Sequence, residues 1–274
     1  MTDLSAWVGK SEHRTELIGA VPVRLLAATL DRDLPVPGPG TPIPPMWHWL
    51  YFLPDASRSD LGDDGHPRRG GFLPPVPLRR RMFAGGTTRF IAPITIGASV
   101  RRSARIISVE EKEGRTGPLI LVEAAYEYST EAGLAVAEEQ TLVYTDAPPR
   151  QVPRPAGDPP TAPWQRSVAT DPAFLFRFSA LTFNSHRIHY DAPYATAVEG
   201  YPALVVHGPL VALLLLDLAT SNGMERVGGF SFQARAPFYV GDRLELRGAP
   251  TPSGANLAAY TGDGLHGMSA TVTG

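Results

Sequence analysis

The sequence has no cysteine, so disulfides, thiolate metal centres and a cysteine nucleophile are all excluded. Lysine is almost missing as well: of 25 basic residues only Lys10 and Lys112 are lysines, which, with abundant Ala, Gly and Pro, reflects a GC-rich coding bias rather than chemistry. Charge of one sign is also lacking. A formal net charge of −2 gives no electrostatic reason to expect nucleic acid or an acidic membrane surface as a partner. There is no long hydrophobic run either. The longest, Leu204 to Ala219, is interrupted by His207-Gly208-Pro209 and carries Asp217, too short and too broken to span a bilayer. Met1 to Glu16 carries Asp3, Glu12 and Glu16 with no apolar stretch ending in small residues, so no secretory signal is read there. The expectation is a soluble, cytoplasmic protein.

What is present fits a globular chain. With 43% apolar and 19% charged residues it is not disordered, and 274 residues make one large domain or two smaller ones. Residues 146–163, DAPPRQVPRPAGDPPTAP, are too rich in proline for a central strand or a helix interior. They predict a semi-rigid linker, placed at 146–166, between an amino-terminal domain of 1–145 and a carboxy-terminal domain of 167–274. A second proline-rich stretch, Pro35 to Pro45, followed by polar Ser57 to Gly71, reads as a long excursion within the first half.

The halves echo each other. Thr88 to Gly97 (TRFIAPITIG) and Phe232 to Gly241 (FQARAPFYVG) each place a proline four residues before a glycine, then enter β-type alternation. Strands are expected at Ser103–Val109, Leu119–Tyr128 and Ala135–Tyr144. In the second half they are expected at Gly228–Ala236, Arg243–Gly248, Ala255–Tyr260 and Met268–Val272. Phe174, Phe176 and Phe178 alternate as on one face of a further strand. The strongest helix is Pro209–Ser221, apolar on every side except Asp217 and therefore buried. The layout is α+β, with antiparallel sheet wrapped on a buried helix.

Chemically capable residues concentrate in Ser179 to Asp191, SALTFNSHRIHYD, just before His207-Gly208-Pro209 at the start of that helix. An imidazole beside a helix terminus with unpaired amides can activate water and hold a developing oxyanion. Taken alone, His189 could equally be a hydrogen-bonded loop histidine, Asn184 a turn residue, and Gly208-Pro209 an ordinary helix start. His186, His189, Asp191 and His207 could be combined into a metal site, but nothing in their spacing forces them to converge, and no metal is expected. Trp47, Trp49, Tyr51 and Phe52 suit either core or an acyl tunnel. Arg79-Arg80-Arg81 suits either a phosphate contact or a solubilising patch.

The runs SALTFNSHRIHYD, YPALVVHGPL and ARAPFYVGD resemble the MaoC-like, R-specific enoyl-thioester hydratases and dehydratases of the hotdog fold. The nearest branch is the two-domain hydroxyacyl-thioester dehydratase type, which includes mesaconyl-CoA and itaconyl-CoA hydratases. MWHWLYF, RRRMFAGG and RFIAPITIG resemble that branch's degenerate amino-terminal hotdog. The resemblance implies a double hotdog fold and a catalytic second half. The family pattern is Ser-Gly-Asp, any residue, Asn-Pro, an aliphatic residue, then His. It aligns its histidine with His189, its aspartate with Asn184, its Asn-Pro with His186-Arg187 and its amide-donating glycine with Gly208. The asparagine is a chemical departure, since an amide cannot accept a proton as a carboxylate can.

By that resemblance the substrate is an acyl-CoA thioester, CoA belongs to the substrate, and no cofactor is needed. His189 is the base and the acid, Asn184 holds the water, and Gly208 donates to the thioester carbonyl. Substrate contacts are expected from His186, Arg187, Tyr190, Arg177 and Arg235. The alternatives are a dehydratase of longer hydroxyacyl thioesters on CoA or carrier protein, a hotdog thioesterase, and a non-catalytic acyl-thioester-binding subunit. One chain would supply the two-hotdog unit that single-domain relatives build as a dimer, with a further homodimer left open.

Overall fold

A computed structural model describes residues 3–114, 117–149, 153–155 and 157–274. Its first half runs β1 (Ser11–Leu17), α1 (Ala20–Thr29), β2 (Arg80–Phe90), β3 (Ser99–Gly114), β4 (Gly117–Thr130) and β5 (Gly133–Thr145). The second half runs β6 (Trp164–Ala169), α2 (Pro172–Leu181), α3 (Gly208–Ser221), β7 (Gly229–Ala234), β8 (Arg243–Thr251), β9 (Gly254–Thr261) and β10 (His266–Thr273). All strands join one ten-stranded antiparallel sheet of order β1-β3-β4-β5-β2-β7-β10-β9-β8-β6.

That order contains the duplication. Within the first half, the first, third, fourth, fifth and second strands lie side by side, and the second half repeats the pattern from the other edge. The halves meet where β2 pairs with β7, from Gly85 opposite Gln233 to Arg89 opposite Gly229. The two echoed motifs lie at equivalent places, each starting in the last three residues of its seam strand. Gly97 and Gly241 adopt φ of 88° and 94°, a left-handed turn that glycine enters without steric cost. Of the expected strands, the three of the first half and the four from Gly228 onward are present, most of them longer at one or both ends than the alternation suggested.

The second half closes around α3, whose residues from Leu210 to Ala219 are all buried. Its single charge, Asp217, is held by Arg32 of the first half and by Arg166 of β6 at 2.7 Å. Among the described residues the first half has no such helix. In the second half Val206 donates to the Phe238 carbonyl and Val240 to Leu204 (both 2.8 Å), after which α3 begins. In the first half Ile43 donates to Ile94 and Ile96 to Thr41 (both 2.9 Å), the same pairing, but Pro44-Pro45 follow and only a short 3-10 turn, Trp47–Leu50, forms. Two successive prolines remove the amides a helix start would present. Trp47, Leu50, Tyr51 and Phe52 fill the space as core, and the chain then leaves on the expected excursion before returning at β2.

Two expectations need correction. Phe174, Phe176 and Phe178 lie in α2, not a strand: Asp171 accepts from the Phe174 amide at 2.8 Å as an N-cap and Pro172 opens the first turn. The buried residues are Leu175, Phe178 and Ser179, a helical i, i+3, i+4 set, while Phe176 is exposed. The linker is shorter than expected, because β6 begins at Trp164 and pairs with β8. Residues 150–152 and 156 of that linker lie outside the described residues. No helix among the described residues is long and apolar enough to cross a membrane.

Because α3 packs against all five strands of the second half, truncating it should be costly. Leu215→Ala, at a fully buried site, is expected to lower unfolding free energy by about 2–5 kcal/mol in urea titrations monitored by circular dichroism.

Candidate active site

The Ser179–Asp191 segment leaves α2 and turns at Phe183, which adopts a left-handed φ of 47°. That turn presents Asn184, whose Oδ1 accepts from the His186 amide at 3.0 Å, leaving its side-chain NH2 free to donate. His189 follows on a short 3-10 turn and is buried. Its Nδ1 stands 2.7 Å from the Val205 carbonyl, an acceptor only, so Nδ1 carries the proton and Nε2 keeps a free lone pair. Gly208 opens α3 next to His207, and its amide belongs to the first turn, where no carbonyl within the helix is available.

Four histidines form a row. His207 stacks on His189 with ring centroids 3.7 Å apart, His186 meets His189 edge-on at 5.4 Å, and His66 lies 4.0 Å from His186. Ser179 Oγ pairs with His207 Nε2 at 2.9 Å. Burial pushes His189 down to about 4 in spite of its bond to Val205. Burial, assisted by the Arg81 charge, also brings His66 to about 4. Burial and the neighbouring rings drive His186 and His207 well below the ordinary imidazole range. All four are neutral near pH 7.

His66 comes from the first half. The excursion folds across the second half so that Gly65, at φ 87°, packs against Ser185. Ser185 Oγ donates to the Gly65 carbonyl at 2.5 Å, the Arg187 amide to the Asp64 carbonyl at 2.9 Å, and Arg187 Nη1 to the Asp63 carbonyl at 3.0 Å. Asp64 pairs with His66 Nδ1 at 3.0 Å. Burial alone would raise the Asp64 carboxyl, but the hydrogen bonds and charge of His66, with Arg81 nearby, hold it at about 2. Ligand atoms of Asp64, His66 and His186 lie within 4.8 Å of one another, the one grouping among the described residues with the spacing a metal would need. Asp191, weighed as a ligand on sequence grounds, is instead bound by Arg187 Nε and Nη2 at 3.0 and 2.7 Å.

The structure thus brings Asn184, His186, His189 and the start of α3 together. It does not bring the other expected substrate contacts to them. Arg187 is spent on Asp191 and the excursion, and its guanidinium lies 4.0 Å from the Tyr194 ring. Tyr190 ties its hydroxyl to the Ser185 carbonyl at 3.1 Å. Arg177 sits on the exposed face of α2, and exposed Arg235 bonds Ser269 at 2.8 Å. Neither has a hydrogen bond or ion pair with the histidine row among the described residues. Asp64 and His66 were missed as site residues, and Arg81 was weighed only within the Arg79-Arg80-Arg81 run. The available signal was that four of only seven histidines belong to the site, one of them in the turn-forming sequence GDDGHP.

Residues 46–240 match the family described as hydroxyacyl-thioester dehydratase type 2. The chain belongs to that family. It is 46% identical, over 98% of its length and 97% of the relative's, to the mesaconyl-C(4)-CoA hydratase of Chloroflexus aurantiacus. It is 26% identical to the mitochondrial hydroxyacyl-thioester dehydratase type 2 of Schizosaccharomyces pombe, over 84% of this chain and 87% of that one. Its fold matches HtdX of Mycobacterium tuberculosis with a TM-score of 0.71 at 20% identity, covering 97% of this chain and 100% of the other. The α+β double hotdog is therefore the fold of this family member, and its activity is that of a hydro-lyase acting on acyl thioesters.

Two outcomes follow from the site. Unfolded imidazoles titrate at about 6.5, whereas His66 and His189 in the fold titrate at about 4. Between those values the unfolded chain takes up protons that the native chain refuses, so stability is full above pH 6.5 and falls as pH drops toward 4. Thermal unfolding from pH 7.5 to 4.5 should show a steadily falling Tm, and a flat Tm contradicts the neutral row. In Gly65→Ala, a Cβ would overlap the Ser185 carbonyl on a backbone that disfavours it, displacing the excursion tip. The variant should stay folded by circular dichroism yet lose hydratase turnover by about tenfold or more.

Proposed function

We propose that this chain hydrates mesaconyl-C4-CoA, or a closely similar short, branched dicarboxyl-CoA ester, and that His189 performs the proton transfers. The observation that carries the chemistry is the bond from His189 Nδ1 to the Val205 carbonyl. It fixes the tautomer and leaves a neutral Nε2 on a ring stacked against His207 at the start of α3. The substrate reading is supported by the near-full-length similarity to the Chloroflexus hydratase.

The thioester carbonyl lies at the Gly208 amide. A water is oriented by the free NH2 of Asn184, which donates to the oxygen and cannot take its proton. His189 Nε2 removes one water proton as the oxygen bonds to C3. The π electrons move to C2 and onto the thioester oxygen, where the Gly208 amide and the positive end of α3 stabilise the enolate. The imidazolium then returns the proton to C2, so the protein ends unchanged and the elements of water have been added. Running the steps backwards dehydrates the hydroxyacyl ester. Because burial opposes the charged ring, protonated His189 is a strong acid, suited to delivering that proton at once. CoA arrives as part of the substrate, and no step calls for a resident cofactor. A cytoplasmic location and a homodimer fit this reading.

Loss of the conjugated enoyl-thioester absorbance tests it, with mesaconyl-C4-CoA, crotonyl-CoA and a longer enoyl-CoA as substrates. Wild type should consume mesaconyl-C4-CoA, with kcat/KM level from pH 8 to below 6 because the base stays neutral. His189→Ala should fall by about 10²–10⁴-fold. Equal activity in His189→Ala would overturn the assignment of the base.

A further inference from the structure

Half-buried arginines in this fold are occupied. Among the described residues Arg14, Arg32, Arg80, Arg102 and Arg166 each pair with a carboxylate, as do Arg187 and Arg247. Arg69 donates to the carbonyls of Val76, Leu78 and Arg79. Arg81 is the exception: half-buried, it pairs with no carboxylate among the described residues, and its neighbour is the Tyr144 hydroxyl.

Its position gives that vacancy a direction. Arg81 lies on β2 opposite Tyr144 of β5, and directly opposed residues in an antiparallel pair project to the same face. Tyr144 is fully buried with Val76 and Leu78, under the returning limb of the excursion, and Arg69 lies 5.0 Å from its ring. The buried Tyr144 hydroxyl has no carbonyl or carboxylate to donate to among the described residues. The Arg81 charge acts on Tyr144, Asp64, His66 and His186, the His66 side of the row, and not on His189 or His207. A guanidinium and a phenol therefore sit together beside the site, and the nearest carboxylate, Asp64, is bonded to His66 rather than to either of them. The buried Tyr144 hydroxyl has a proton to donate, and a guanidinium is the fork that binds a carboxylate with two hydrogen bonds.

We propose that Arg81, with the Tyr144 hydroxyl in support, is the subsite for the free carboxylate of a dicarboxyl-CoA substrate and sets the enzyme's preference for it. The inference rests on the hydratase reading above. In a C4 thioester of mesaconate the free carboxylate is attached to C3, the carbon that receives the hydroxyl. Its partner must therefore lie within one residue's reach of His189, and Arg81 reaches the row through His66 and His186. The same charge argues against a cation at Asp64, His66 and His186, whose carboxylate and imidazole already satisfy each other at 3.0 Å.

The test compares wild type, Arg81→Gln, Arg81→Lys and Tyr144→Phe on mesaconyl-C4-CoA and on crotonyl-CoA, which has no distal carboxylate. Thermal unfolding checks that each variant is folded. Arg81→Gln should lower kcat/KM for mesaconyl-C4-CoA by about 10–100-fold and leave crotonyl-CoA within about threefold. Arg81→Lys should lie between, because it keeps the charge and loses the fork. Tyr144→Phe should show a smaller loss with the same selectivity. Equal losses on both substrates, or no loss on either, overturn the subsite while leaving the hydratase reading intact. Wild-type hydration of crotonyl-CoA with none of mesaconyl-C4-CoA overturns the dicarboxylate reading and the subsite with it.

Discussion

The structure depends on the burial of one helix. From Leu210 to Ala219 every residue of α3 is inaccessible, so the helix has no face it can leave to water. The sheet must curl around it, and Asp217 must be neutralised from both halves, by Arg32 and Arg166. A partner removed there would strand a buried carboxylate, which is why the contact also fastens the halves. The same burial aims the start of α3 at a fixed point, and that point is where Gly208 meets the histidines.

Duplication followed by loss explains how one site can draw on both halves. The first half keeps the strand order, the paired segment at Ile43 and the left-handed turn at Gly97, but Pro44-Pro45 stand where α3 would begin. Aromatic residues take up the core volume, and the chain that no longer forms a helix runs out across the neighbouring half. Its tip is fixed by backbone contacts at Asp63, Asp64 and Gly65, which deliver His66 with little freedom. A degenerate half thus supplies position and charge, while the intact half keeps the base and the amide donors.

The charge arrangement of the site is asymmetric. Four neutral rings lie in contact, a state favoured by burial and by mutual repulsion of their charged forms. At one end stands the start of α3, at the other a guanidinium that forms no ion pair among the described residues. A substrate carrying charge at its thioester oxygen in the transition state and at a distal carboxylate matches both ends. An uncharged acyl chain matches only the first.

The sequence alone determined the buried helix, the late strands of each half and the cluster from Asn184 to His189, because each rests on local patterning: an unbroken apolar stretch, β-type alternation, polar residues ahead of a helix start. It misread Phe174, Phe176 and Phe178, since a period of two over five residues competes with a helix whose stronger signals are Asp171-Pro172 and the spacing of Leu175, Phe178 and Ser179. Tertiary structure alone decided which arginine is free. Arg79, Arg80 and Arg81 are identical as side chains, but only strand register and the positions of Glu199 and Tyr144 send the first two to a carboxylate and leave the third beside the histidines. It also decided that His66, 120 positions from His186, would lie 4.0 Å from it, a contact made by folding one half onto the other and carried by no local pattern.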